Sequence, residues 1–375
     1  MSISSGIRAK ILRGQPPDEP GLDELVALEA VRLGRDGVNQ VRSGLAADLL
    51  GAGPLEPHLA DPGVTDILVN GDGSVWVDRG AGLHEVDAVG LGPESTRRLA
   101  VRLAGQAGRR LDESQPWVDG LLPGGVRLHA VLPPIVDCGA HLSLRVPRQA
   151  GSRLSDLGER GMFGAETALL LRQLVVHRVS LLVTGGTGTG KTTLLGGLLA
   201  EVPHDERIVL VEDVRELAVA HPHIVRLQGR SANVEGRGAV TLVDLVRQAL
   251  RMRPDRLVVG EVRGAEVREL LAALNTGHEG GCGTVHANSP SDVVARFEAL
   301  GALAGLSRDA VQAQLASAVQ AVVHVRRDCR GRAVESLSVL APSGSGLGVE
   351  RAVTCATGER GPGWPQLARL LEAAP

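Results

Sequence analysis

Short apolar runs that end in charge or glycine recur through the second half of the chain. Val179 to Val183 is rich in Val and Leu, and 207–212, 256–261 and Cys282–His286 repeat the form. Runs this short, apolar at successive positions, predict buried parallel strands rather than half-exposed ones. Between them the spacing changes to the helical period. Ala165–Val176 reads as a helix, and Lys191 starts another that Pro203 ends. Thr241-Leu242-Val243-Asp244 is a capping-box start for a helix over 242–252. Ser289-Pro290-Ser291-Asp292 is a further start, with the proline expected at the first helical position. Strands alternating with helices predict a doubly wound α/β core over 157–340.

The first half has a different pattern. Apolar residues fall at helical spacing over 22–33 and again over 38–50. The stretch 65–71 alternates into a strand and turn, with 74–77 as its hairpin partner. A helix is predicted over 93–108, with Leu99 and Leu103 on one face, and 126–146 is strand-like, broken at Pro133-Pro134. These elements predict a smaller α+β domain over 21–148, after a mobile lead over 1–20 and before a linker over 149–156. Ala341 to Gly348 is rich in Gly, Ser and Pro, so a linker is expected there. The tail that follows is expected to hold one short helix near 366–373 or no order.

Composition narrows the picture. A chain of 375 residues carries a formal charge of only −3, so it has no basic footprint for nucleic acid. With two Phe, three Trp and no Tyr the core must be aliphatic, and platforms for stacking bases are scarce. Cys138, Cys282, Cys329 and Cys355 form no C-x-x-C pair, so neither a disulfide framework nor a zinc ribbon is indicated. No apolar run reaches membrane-spanning length, and the first residues lack the basic-then-apolar pattern of a secretory signal. A cytoplasmic protein that docks at a membrane complex is expected.

The strongest chemistry follows the strand at Val179. Gly185-Gly186-Thr187-Gly188-Thr189-Gly190-Lys191-Thr192-Thr193 satisfies G-x-x-x-x-G-K-[ST] in strand–loop–helix order. A polyphosphate needs backbone N–H groups at close range, which Cβ atoms would obstruct, and the helix start beneath adds its positive dipole end. Lys191 can reach the β- and γ-phosphates, and the Thr192 hydroxyl can ligate Mg²⁺. An ordinary glycine turn would need none of this. The chain is expected to bind a nucleotide together with Mg²⁺.

Three other stretches end where strands should meet the phosphate. Arg207 to Leu217 leaves Glu212 and Asp213 at a strand end. Arg256 to Glu261 ends in Gly260-Glu261, with glycine where a Walker B acid usually faces magnesium. Glu261 is then the acid available to orient or deprotonate water. Asn275 to Asn288 is glycine-rich and carries His278 and His286, either of which could hydrogen-bond a phosphate. Zinc on His278, His286 and Cys282 lacks a fourth ligand at usual spacing. Arg127 and Arg145 lie in the strand-like end of the first domain. Arginine suits phosphate, but from residue type alone a pair among the chain's many is surface charge in about four cases of five.

Taken together, these motifs resemble one family, the ATPases of type II and type IV secretion systems and type IV pili, and within it the tight-adherence (CpaF-like) pilus ATPases. Gly53-Pro54-Leu55-Glu56-Pro57 and Val64-Thr65-Asp66-Ile67-Leu68-Val69-Asn70-Gly71 are similar to the opening of that branch's N-terminal domain. Gly185 to Thr193 matches its Walker A, and Glu212-Asp213 its Asp box. Gly260-Glu261-Val262-Arg263-Gly264 matches its atypical Walker B, and Thr276 to Asn288 its His box. The resemblance implies a RecA-like P-loop core and a homohexameric ring that hydrolyses ATP at subunit boundaries, peripheral to the inner membrane and working on platform proteins there. It assigns Glu212 to magnesium or water, places Arg263, His278 and His286 in the site, and makes Arg127 and Arg145 phosphate ligands. Leu121 and Gly124 stand where the family has Arg and Asp, and the tetracysteine zinc module of the type II branch is missing.

Two rival readings use the same core: a nucleotide-gated scaffold with little turnover, and a DNA-translocating motor of the conjugal-transfer kind. Charge and aromatic content weigh against the second. No L-S-G-G-Q-like segment points to an ABC subunit, and no Asn-Lys-x-Asp motif points to GTP.

Overall fold

The computed structural model describes residues 51–80, 82–87, 90–146, 153–230, 237–277, 279–328, 331–344 and 346–372. The helices expected over 22–33 and 38–50 lie outside the described residues, as does His278. The chain divides into two compact units, 1–148 and 149–375.

In the first unit six strands, counted among the described residues, form an antiparallel sheet in the order β3-β2-β1-β6-β5-β4. They are β1 (Asp66–Val69), β2 (Val75–Asp78), β3 (Leu83–Val86), β4 (Trp117–Leu121), β5 (Arg127–Val131) and β6 (His141–Arg145). The alternation in 65–71 does produce the β1–β2 hairpin, closed by the Asn70 N–H donating to the Ser74 carbonyl at 2.9 Å. The helix Pro93–Gln106 lays Leu99, Ala100, Leu103 and Ala104 against Ile67, Val77, Leu128, Ala130, Leu142 and Leu144 of the sheet. Each strand contributes alternate residues, so one sheet face makes this core and the other carries polar chemistry.

The second unit is built on a nine-stranded sheet, again counted among the described residues, in the order β15-β14-β13-β12-β7-β11-β10-β8-β9. β7 is Leu181–Gly185, β8 Ile208–Glu212, β9 Ile224–Gln228, β10 Arg256–Val262, β11 Cys282–His286, and β12 Ala321–Asp328. These six are parallel. β13 (Gly331–Ser343), β14 (Gly346–Thr354) and β15 (Glu359–Arg360) continue the sheet antiparallel. Separate apolar clusters cover the two sheet faces, which is why β7 and β8 are buried at every position. The charges inside are paired: Arg256, 2% exposed, donates to Glu206 at 2.6 Å and to the Val175 carbonyl at 2.9 Å.

Four sequence expectations need correction. Residues 341–343 and 346–348 are paired strand ends of β13 and β14, with Ala341 opposite Gly348, rather than a linker, and the chain beyond returns as β15 and the helix Trp364–Glu372. The expected linker 149–156 runs into the helix Leu154–Glu159, whose first turn is closed by Asp156 accepting the Arg153 N–H at 2.9 Å. Pro290 sits in the turn before the helix Asp292–Leu303 rather than at its first position. The helix expected over 242–252 is α-helical over Leu242–Ala249 and tightens into a 3₁₀ turn over Leu250–Met252. Its predicted cap is present, the Thr241 hydroxyl accepting from the Asp244 N–H at 3.2 Å.

Candidate functional site

β7 delivers the chain into the glycine-rich loop, and the helix Lys191–Leu199 leaves it. Gly185 has φ +152°, and a Cβ there would stand 2.2 Å from the Val325 carbonyl oxygen of β12. The close approach of loop to neighbouring strand therefore requires glycine. Lys191 is 8% exposed, and its ammonium donates to the carbonyls of Gly185 at 3.0 Å and Gly186 at 2.8 Å. The Thr189 hydroxyl donates to the Gly186 carbonyl at 3.0 Å. Thr192 and Thr193 are half-buried in the first helical turn.

Because β11 lies beside β7, His286 is in register with Gly185, and its Nε2 is 2.7 Å from the Thr187 hydroxyl. Burial holds the His286 imidazolium below its usual range, the Lys191 charge adds to this, and Glu261 opposes it.

β10 and β8 bring the acids together. In register Val259 faces Val211, which sets Gly260 beside Glu212. A Cβ on Gly260 would stand 2.8 Å from the Glu212 Cγ, so the Glu212 side chain fills the space that a Walker B acid at 260 would need. Glu212 is buried, and its Oε1 accepts the N–H groups of Glu216 at 2.9 Å and Leu217 at 2.8 Å. Burial raises its pKa, and those two bonds oppose the rise. Introducing Gly260→Asp should cost about 1–3 kcal/mol through this overlap, a fall in Tm of roughly 3–10 °C. Adding Glu212→Ala should recover at least about 1 kcal/mol of that loss. Strictly additive losses in a thermal-unfolding cycle would mean that the two positions do not compete for one space.

Between Val259 and Val262 the pairing of β10 with β11 slips by one residue, leaving a bulge at Gly260-Glu261. The Thr284 hydroxyl donates to the Gly260 carbonyl at 2.6 Å and pins it. Bulges re-aim side chains at sheet ends. Glu261, one-third exposed, is turned to the strand end, where Arg263 pairs with it at 2.8 Å. Glu266 is buried and accepts the N–H groups of Arg263 at 2.7 Å and Gly264 at 2.8 Å, shaping the turn after β10. Sequence reading passed over Glu266, although an acid three residues after Arg263 is the spacing of a turn cap.

His324 was also passed over. It lies on β12, is 3% exposed, and its Nδ1 is 2.9 Å from the Thr184 hydroxyl, one residue before the loop. A polar residue inside the apolar run 321–325 was the available signal. Burial, the largest cause, lowers the His324 pKa, while Glu335 and Asp292 pull it up and Lys191 pushes it down. With a folded pKa below the unfolded value near 6.5, its contribution to stability is present above about pH 6.5 and lost as pH falls through the folded pKa. Glu212 runs the other way: its contribution is full below its unfolded pKa near 4.5 and is lost as pH rises through the folded one. The difference between wild type and His324→Gln isolates the histidine. Tm should fall less steeply from pH 7 to pH 5 in the variant, and parallel curves would refute the assignment.

In the first unit Arg127 and Arg145 stand directly opposite each other on β5 and β6. Their row continues to Asp66 on β1 and to Leu121 on β4. The structure thus brings together two residues that sequence alone left 18 positions apart (145 − 127).

The donor set fits magnesium. Mg²⁺ prefers hard oxygen, keeps several waters, and uses one or two carboxylates with substrate phosphates. The Thr192 hydroxyl and the buried Glu212 carboxylate are such donors, and no group of three His, Cys, Asp or Glu ligands occurs among the described residues. The Cys282 thiol is pushed up to about 12 by burial, with Arg256 opposing, and so behaves as core rather than as a thiolate ligand. Among the described residues no helix is long and apolar enough to cross a membrane.

Residues 48–361 match the family described as type II/IV secretion system protein. A putative conjugal transfer protein of Mycobacterium tuberculosis is 56% identical over 323 residues, covering 84% of this chain and 91% of that one. The conjugal transfer protein TrbB of Rhizobium radiobacter is 32% identical over 283 residues, covering 74% and 84%. Among solved structures, the Legionella pneumophila ATPase DotB superposes with a TM-score of 0.53 over 85% of this chain and 83% of that one. At 18% identity this is a likeness of fold.

Proposed function

The chain belongs to the type II/IV secretion system protein family, and from that premise we propose that it is an ATP-hydrolysing motor of a pilus-assembly or protein-secretion machine. The observation that carries this is the convergence of Lys191, His286, Glu261 and Glu212 at the carboxyl ends of four neighbouring parallel strands, β7, β11, β10 and β8. Open α/β sheets bind their ligands there. Gly185 to Thr193 cradles the triphosphate, and Lys191 leaves its two carbonyls for the β- and γ-phosphates. Thr192 and Glu212 would hold Mg²⁺, which would supply positive charge to offset the charge that builds up during transfer. Glu261 orients or deprotonates the attacking water, and Arg263 holds its carboxylate in place. His286 keeps Thr187 in a fixed rotamer.

Arg127 and Arg145, opposite each other on β5 and β6, are the first unit's candidate phosphate ligands. The working assembly is a homohexameric ring at the cytoplasmic face of the inner membrane, acting on platform proteins, and the tight-adherence branch is the reading that Gly53 to Pro57 favours. A conjugal-transfer machine is the second reading, favoured by the Mycobacterium tuberculosis and Rhizobium radiobacter relatives, a putative conjugal transfer protein and the conjugal transfer protein TrbB. Phosphate release is measured against protein concentration, with and without single-stranded DNA. Turnover per subunit that rises with assembly supports the motor. DNA stimulation would move the assignment to the second reading, and no turnover at any concentration would leave a nucleotide-gated scaffold.

A further inference from the structure

Resting on the phosphate loop as the nucleotide site, we propose that Arg332 is a positioning residue that aims a loop amide at the bound phosphates. Arg332 lies at the start of β13, and its Nε donates to the Gly188 carbonyl at 2.9 Å across 144 positions of sequence. Its Cδ stands 3.2 Å from where a Cβ of Gly190 would be, so the guanidinium stem packs along the loop. In a trans peptide the carbonyl and the following N–H point in opposite directions. Holding the Gly188 carbonyl towards the hairpin therefore turns the Thr189 N–H to the other side of the peptide.

The clamp matters because of the residues around that peptide. Gly188 has φ +69° and Gly190 φ +97°, so the backbone here has few steric barriers against rotating the peptide plane. A loop that samples several orientations binds phosphate only in the fraction with its amides turned inward, and its apparent affinity drops by that fraction. Arg332 raises the fraction. Arg327 is directly opposite Arg332 in the β12–β13 ladder, and its Nη1 is 3.7 Å from the position of a Gly188 Cβ, so a second guanidinium lies against the same loop.

The test uses the full chain and titrates a fluorescent ATP analogue and ADP into wild type, Arg332→Met and Arg332→Lys, with steady-state kinetics alongside. Methionine keeps the apolar stem and has no donor, so in Arg332→Met the Kd for both nucleotides and the KM for ATP should rise about tenfold, while kcat falls by less than about threefold. Lysine can donate the same single bond to a carbonyl, so Arg332→Lys should return affinity to within about threefold of wild type. A Tm without nucleotide that stays within about 2 °C of wild type completes the expected result. Nucleotide affinity within twofold of wild type in Arg332→Met overturns the proposal. So does a loss of affinity matched by a loss of unliganded Tm with no lysine rescue, because that marks a hairpin contact serving the fold alone. Wild type binding neither nucleotide would bring down the nucleotide reading itself.

Discussion

Lys191→Ala is expected to abolish ATP turnover and weaken ATP binding by at least about a hundredfold, because it removes the cation at the heart of the loop. The ammonium is nearly buried and is held by the Gly185 and Gly186 carbonyls. A charge-assisted contact in such a place is worth more than one in water, since the surroundings screen it poorly. Nucleotide-induced stabilisation reads this without requiring turnover. Saturating ATP at about a hundred times Kd should stabilise wild type by about 2.7 kcal/mol and should leave Lys191→Ala almost unmoved. Affinity within threefold of wild type would remove Lys191 from the phosphate site, and with it the reason to place a triphosphate there.

Glu261→Gln should separate binding from chemistry. The amide has nearly the shape of the carboxylate, so the bulge pinned by Thr284 and the phosphate loop are undisturbed. ATP affinity should stay within about threefold, while kcat drops about 10²- to 10⁴-fold for want of a group that accepts a proton from water. The lost pairing with Arg263 costs little, since both side chains are partly exposed and such pairs contribute about 0–1 kcal/mol. Single-turnover phosphate release with a parallel binding titration makes the measurement. Undiminished turnover would exclude Glu261 as the base, and Glu212, set beside Gly260 on the adjoining strand, would be the next acid to test.

Some of this was readable in advance. The helix Ala165–Val176 and the strand Cys282–His286 have the bounds that their apolar spacing predicts. The strand ends that carry Glu212 and Glu261 were likewise visible as apolar runs closing on an acid. The antiparallel strands β13 and β14 were not. In 331–354 apolar residues mix with Gly, Ser, Pro and Arg, and much of the stability of this hairpin comes from β12, which lies beside it. Propensity in a strand largely reflects packing against neighbours that a local window does not contain.

Alone, the sequence determined the phosphate loop and the alternation of strand and helix, because both depend on residues within about ten positions of each other. Tertiary structure decided which side chains share a place. It put Glu212 in the space that Gly260 leaves open, set Arg127 opposite Arg145, and carried Arg332 to the carbonyl of Gly188. Strand order and register arise from burying whole sheet faces at once, and a one-residue slip would turn every one of these side chains to the other face.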